Sequence, residues 1–323
     1  MLVDKRKIPF KEILLYGFLP SFLKKIIYRM QGYKIGNNVY LGLGCVVIGE
    51  DVVIGNSTSL GFFTIVKARH IDIGRYVKVG SFTFIDTEKL IIDDDARINE
   101  LVIVGGIKTP DSLLDVGKRA IIMEYSYINT TKPIKIGDDS GIGGHCLLFT
   151  HGSWLSKLEG FPVDFAPINI GEKVWLPWRV FIMPGVDIGD EVVIGANSLV
   201  NNDLPSNVLA AGNPAKIIYE NYPKPVSNKE QKTIIAQIFD DFVNYLEYHG
   251  FSVTIDKIDQ EMYIFISKNG KKSEIIFSDN FSGSEFMTLD NLLVLDENIE
   301  FNPEENIRMM INLQTNQRLG TSH

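Results

Sequence analysis

Between Ile168 and Val200 the chain reads INIGEKVWLPWRVFIMPGVDIGDEVVIGANSLV, with an aliphatic residue at Ile170, Leu176, Ile182, Ile188, Ile194 and Val200. Every interval is six residues. An α-helix repeats at about 3.6 residues and a strand at about 2, so neither produces this spacing. The beat recurs at Ile48, Ile54, Leu60 and Val66, at Ile73, Val79, Ile85 and Ile91, at Ile98 and Val104, and at Ile136, Ile142 and Leu148, with steps of seven between several groups. The residue after the aliphatic is often glycine, as at Gly55, Gly74, Gly137 and Gly189. The fourth residue after it is small or β-branched, as at Val52, Thr58, Val77, Ser140, Cys146, Val174 and Ser198. Three positions sharing one period predict a parallel β-helix. Each hexapeptide makes one short face and one corner, three make a triangular coil, and the aliphatics stack into a core. The glycines are expected to serve the corners by taking dihedrals closed to other residues. A sandwich of short strands explains strand content but not the shared period.

Charge divides the chain. Residues 1–34 hold Lys5, Arg6, Lys7, Lys11, Lys24, Lys25, Arg29 and Lys34 against Asp4 and Glu12, a balance of +6; the whole chain is -8, which leaves -14 beyond residue 34. That balance argues against nucleic-acid binding, which wants a basic face on the main domain. Two cysteines, Cys45 and Cys146, sit within the repeat; they read as reduced core thiols of a cytosolic protein. No apolar run reaches the ~18 residues of a membrane span, and the start lacks the pattern of a secretion signal. A cytoplasmic location is the expectation.

Residues 1–32 predict helix, broken at Pro20 and ending near Gly32. One reading is a cap over the open end of the solenoid; the other is a basic amphipathic contact with the inner face of an anionic membrane. The cap is the favoured of the two. Residues 33–220 form the solenoid, with departures from the beat at Gly106–Ala120 and at Phe149–Pro167; the second is an insertion, because the beat resumes after it. Past the linker YPKPVSN, residues 226–323 lose the beat. There an amphipathic helix, alternating strands with a turn at Asn269-Gly270, and a last helix from Asn302 predict a small α+β domain.

Residues 35–218 resemble the hexapeptide-repeat acyltransferases, particularly the O-acetyltransferases acting on galactosides, maltose and streptogramins. The residues that carry the resemblance are the beat, Val174-Trp175 followed by Met183-Pro184-Gly185-Val186, and the ending VLAAGNPAKII at Val208–Ile218. The resemblance implies a left-handed solenoid, a homotrimer with its site between neighbouring solenoids, acetyl-coenzyme A as co-substrate, and no metal. It implies that His151, at the entrance of the second departure, is the general base, an imidazole suited to taking a proton from a hydroxyl near neutral pH. It puts Trp175, His145 and Trp154 with the acceptor. It puts Pro177, Trp178, Asn197, Asn202, Gly212, Asn213, Pro214 and Lys216 along the coenzyme groove, with Lys216 meeting a phosphate. Two departures from the family pattern stand out. Pro177 replaces a glycine and brings no N–H, and Asn202 replaces a lysine.

The acceptor implied is a sugar of a bacterial surface polysaccharide or its precursor. Three alternatives remain. The first is N-acetylation of an amino sugar, whose enzymes usually carry a nucleotide-binding domain before the solenoid. The second is a zinc enzyme on the same scaffold, which needs three converging histidines. The third is a binding or scaffolding protein that has lost the chemistry.

Overall fold

The computed structural model describes residues 9–152 and 155–227, a subset of residues between 230 and 250, and the strands and turns of 250–258, 261–268, 271–278 and 292–294. The chain divides into two compact units, Met1–Lys224 and Pro225–His323. The first unit is a left-handed parallel β-helix of about nine turns. Three parallel sheets of eight, ten and eight strands form its faces; the last strand of the second sheet turns back antiparallel. Each coil adds one strand to each face, so side chains at one register stack coil upon coil. Ile35, Ile54, Ile73, Ile92, Val116, Ile136, Ile170 and Ile188 make one such inward column in the first sheet. Val47, Val66, Ile85, Val104, Ile128, Leu148, Ile182 and Val200 make another in the third. Burying an aliphatic side chain of this size contributes about 1.5–3 kcal/mol, and nearly every member is fully enclosed.

The columns correct the sequence reading at two positions. Ile48 and Ile91 keep the six-residue count, yet Val47 and Ile92 point into the core. Side chains alternate along a strand, so in Lys89–Ile92 the inward pair is Leu90 and Ile92. The extra residue lies at the corner, where a count through the sequence slips by one. The first departure from the beat is also shorter than the sequence suggests, because Leu114, Val116 and Ala120 rejoin the core.

The glycines serve a different purpose from the one expected. Gly55 and Gly137 have no left-handed backbone. A Cβ on Gly55 would stand 2.5 Å from the carbonyl group of Gly74 in the next coil, and one on Gly137 would meet Gly171 at 2.5 Å. Close approach between coils demands them. The left-handed dihedrals fall two residues later, and on ordinary side chains. Asn38, Ser57, Tyr76 and Asp95 take them at the corner leaving the first sheet; Phe63, Phe82, Leu101, Tyr125 and His145 do so at the corner leaving the second. Each such residue costs roughly 1–2 kcal/mol, offset by ladder bonds such as Phe82 N–H to Phe62 C=O at 2.8 Å.

At the start, Ser21–Met30 is a helix lying on the first coils. Its inward residues bond to solenoid backbone. Lys24 Nζ donates to the carbonyls of Gly42 (2.5 Å) and Cys45 (3.1 Å). The Tyr28 hydroxyl accepts from Val47 N–H at 2.8 Å and Ser21 Oγ from Leu41 N–H at 3.0 Å. Lys24 and Tyr28 are wholly buried, and burial lowers the Lys24 pKa and raises that of Tyr28. Both cysteines are buried free thiols.

The second unit contains helical residues between Glu230 and Tyr248 and a four-stranded antiparallel sheet of Ser252–Ile258, Glu261–Lys268, Lys271–Ser278 and Leu292–Val294. The expected turn at Asn269-Gly270 and the last helix from Asn302 lie outside the described residues.

Candidate active site

The third sheet delivers the chain to its corner through Leu147–Phe149, and His151 is the first residue of the arm beyond. The arm returns at Asp164–Phe165, pairing antiparallel with His151–Gly152, so His151 is anchored at its base. Its ring stacks on Phe165, with centroids 5.5 Å apart and planes at 20°. On the other side stand two buried polar groups from the preceding coil. His151 Nδ1 is 3.1 Å from Thr131 Oγ1 and 3.2 Å from Asn129 Oδ1.

The surrounding hydrogen bonds fix which nitrogen carries the proton. Thr131 N–H, which can only donate, bonds to Asn129 Oδ1 at 3.1 Å, so that oxygen is an acceptor. The Thr131 hydroxyl also donates to Asn129 Oδ1, at 2.8 Å, and accepts from Ile107 N–H at 2.9 Å. Its one proton is committed. Both atoms facing Nδ1 therefore accept, Nδ1 bears the hydrogen, and Nε2 carries the lone pair, with no hydrogen-bond partner among the described residues. Burial lowers the His151 pKa below its ordinary value, which keeps the ring neutral near pH 7. A neutral imidazole with one nitrogen pinned and the other free is equipped to accept a proton.

The loop of the first departure supports the same corner. Thr109 Oγ1 donates to Thr131 C=O at 2.7 Å, Lys132 pairs with Asp111 at 2.8 Å, and Lys108 pairs with the buried Asp86 at 2.6 Å. Asn129, Thr131 and Phe165 were not singled out from sequence. Their one local signal is the run Asn129-Thr130-Thr131, three polar residues where a buried strand ends.

The other expected site residues gather at a different corner, the one joining the second and third sheets. His145 stacks between Tyr125 (4.9 Å, 15°) and Trp178 (5.5 Å, 39°) with φ of 56°. Trp178 lies over Gly144, and Trp175 over Gly141. The Pro177 carbonyl accepts from the Cys146 thiol at 3.0 Å. Arg179 and then Asn197 take the same left-handed conformation on the next two coils, and Asn197 N–H donates to Trp178 C=O at 3.1 Å. Gly212 N–H donates to Ser198 Oγ at 3.0 Å, and Gly212, Asn213, Pro214 and Lys216 are exposed on the closing hairpin. Asn202 is separate from this group. It follows the third sheet, is exposed, and donates to Asn201 Oδ1 at 2.9 Å. Trp154 lies outside the described residues. His145 and His151 thus stand at opposite edges of the third sheet, so a zinc site using both does not converge. Among the described residues no three His, Cys, Asp or Glu side chains cluster.

Comparison with known proteins follows the same lines. No family model matches the chain. A protein of Escherichia coli named as a colanic acid biosynthesis acetyltransferase, WcaF, is 42% identical over 107 residues, covering 33% of this chain and 58% of that protein. The galactoside O-acetyltransferase of Escherichia coli is 56% identical over 54 residues, covering 17% of this chain and 27% of that enzyme. The chain therefore spans less than two thirds of either relative. Among solved structures, the polysialic-acid-specific acetyltransferase NeuO is 23% identical, with a TM-score of 0.34 over 61% of this chain and 85% of that one. A hexapeptide-repeat acetyltransferase of Vibrio cholerae, solved with acetyl-coenzyme A, is 23% identical, with a TM-score of 0.29 over 65% and 81%. The chain is a hexapeptide-repeat solenoid similar to the O-acetyltransferases built on that repeat.

Proposed function

We propose that this protein is an O-acetyltransferase that moves the acetyl group of acetyl-coenzyme A to a sugar hydroxyl of a bacterial surface polysaccharide or its precursor, with His151 as general base. The observation that carries the reading is the pinned Nδ1 of His151, which leaves the ring's lone pair on Nε2. Nε2 takes the proton of the acceptor hydroxyl as its oxygen forms a bond to the thioester carbon. The carbon–sulfur bond breaks, and the proton passes from Nε2 to the departing thiolate. No covalent bond to the protein is required. The relatives named above for acetyl transfer and polysaccharide synthesis support the acceptor class.

The exposed Lys216 suits a coenzyme phosphate as a point charge, and the aromatic faces of Trp175 and Trp178 suit contact with the bound molecules. Pro177 offers only its carbonyl, already engaged by Cys146. In one copy the third sheet separates His151 from Trp178, Asn197 and the closing hairpin. We therefore read the site as completed by an adjoining copy, one contributing its imidazole corner and the other its Trp178 corner, in a homotrimer. The test is release of free coenzyme thiol with candidate sugars. Turnover that depends on His151, in a species sedimenting as a trimer, supports the reading; absence of thiol release with any sugar acceptor reduces the protein to a binding module.

A further inference from the structure

The helix Ser21–Met30 is turned inside out. An ordinary surface helix buries its apolar stripe and shows its charges to water. This one buries Lys24 and Tyr28, with Ser21 half-buried beside them, against solenoid backbone and presents Phe22, Ile26 and Met30, four residues apart and on one face, to solvent. Met30 is 83% exposed and Phe22 60%. Leu14 and Phe18 before it are also exposed, at 75% and 50%. Single exposed apolar residues need no explanation, whereas a cluster of this kind marks a surface that something covers.

The charges around the cluster say what covers it. Lys25 flanks the apolar face, Lys11 stands exposed before it, and Lys5, Arg6 and Lys7 precede them in sequence, while Arg29 is turned back onto the carbonyls of Ile35 and Gly36 at 2.9 and 3.2 Å. Between Glu12 and Glu50 the chain has no acidic residue. A second copy meeting this face through its own would set like charges together. We propose that the N-terminal pole docks on an anionic phospholipid surface, with Phe22, Ile26 and Met30 in the acyl boundary and Lys11 and Lys25 among the headgroup phosphates. A basic helix of this kind lies in the plane of the interface, its apolar side buried about 5–10 Å. The inward polar side does not compete, because the solenoid occupies it.

The test is cosedimentation of the full chain with vesicles of phosphatidylcholine, alone or mixed with phosphatidylglycerol. The expected result is binding to the mixed vesicles and little to the neutral ones, weakening as salt rises. The exposed-face variant Phe22→Ser/Ile26→Ser/Met30→Ser, with Lys24 and Tyr28 untouched, is expected to keep its melting temperature and lose binding at least tenfold. Lys11→Gln/Lys25→Gln is expected to lose about fivefold per charge, from ~1 kcal/mol for each basic residue near the surface. Failure of the full chain to bind, or binding indifferent to the serine substitutions, overturns the proposal. So does a concentration-dependent self-association that those substitutions abolish, which assigns the face to a second copy. Acetyl transfer does not enter the readout, so failure here leaves the assignment of His151 standing.

Discussion

Two histidines six residues apart stand at the two edges of the third sheet, and their surroundings differ in almost every respect. His145 has left-handed backbone and lies exposed between two aromatic rings. Neighbouring coils repeat that backbone at Phe63, Phe82, Leu101 and Tyr125. His151 is partly buried at the mouth of an arm, with two oxygen acceptors on Nδ1 and an aromatic ring on one face. The same imidazole is therefore held differently at the two corners. A corner built from a repeating left-handed turn displays side chains. A corner interrupted by loops at 106–112 and 149–167 can enclose one. Residue type alone does not separate the two; the hydrogen bonds of the neighbouring coil do.

The sharpest way to break this contrast is to remove each ring in turn. His151→Ala is expected to lower turnover by about 10²–10⁴ with the melting temperature little changed; an unaltered rate in a thiol-release assay would remove His151 from the mechanism. Asn129→Leu removes an acceptor from Nδ1 without touching the substrate, and is expected to lower kcat about 10–100-fold. A change in KM alone would make Asn129 a binding group instead of a positioning one.

The pH profile sharpens the comparison further. Burial lowers the His151 pKa, so the neutral base persists as pH falls and is lost only below the ordinary value of 6.5. The acid limb of kcat/KM is expected there. In Asn129→Asp a carboxylate faces Nδ1–H and favours the charged ring, and the limb should move up by about one unit or more. A limb that stays fixed would mean another group controls it. The smallest effect belongs to His145→Ala. It loses two ring contacts worth about 0.5–1.5 kcal/mol each, seen as a lower melting temperature, and should leave the acid limb unmoved. If the limb vanished with His145, the base would have been assigned to the wrong corner.

Much of the architecture was legible because a stacked column of aliphatics needs a fixed sequence interval. The interval could not tell Val47 from Ile48 or Ile92 from Ile91, since alternation within a strand, not the count between coils, chooses the inward side. It could not say why glycine follows, because the reason is the backbone of the coil above. His151 was visible as a loop-entrance histidine. Its support was not, because Asn129 and Thr131 reach it across a full coil, a separation at which sequence neighbours carry no signal. Nor does an amphipathic pattern reveal which side of a helix faces inward. The lysines of residues 21–30 look like solvent residues until Lys24 is found bonded to two carbonyls of the solenoid.

That last contact bears on self-assembly. The terminal rung of any parallel solenoid offers unpaired amides and carbonyls on which another molecule could continue the ladder, the route by which strand proteins grow into fibres. Here Lys24, Tyr28 and Ser21 occupy such groups at Gly42, Cys45, Val47 and Leu41. At the far end the strand Ala215–Glu220 runs antiparallel and breaks the template of the second sheet. Continuation of the ladder is thus blocked at the helix-covered pole and, at the other, along the second sheet.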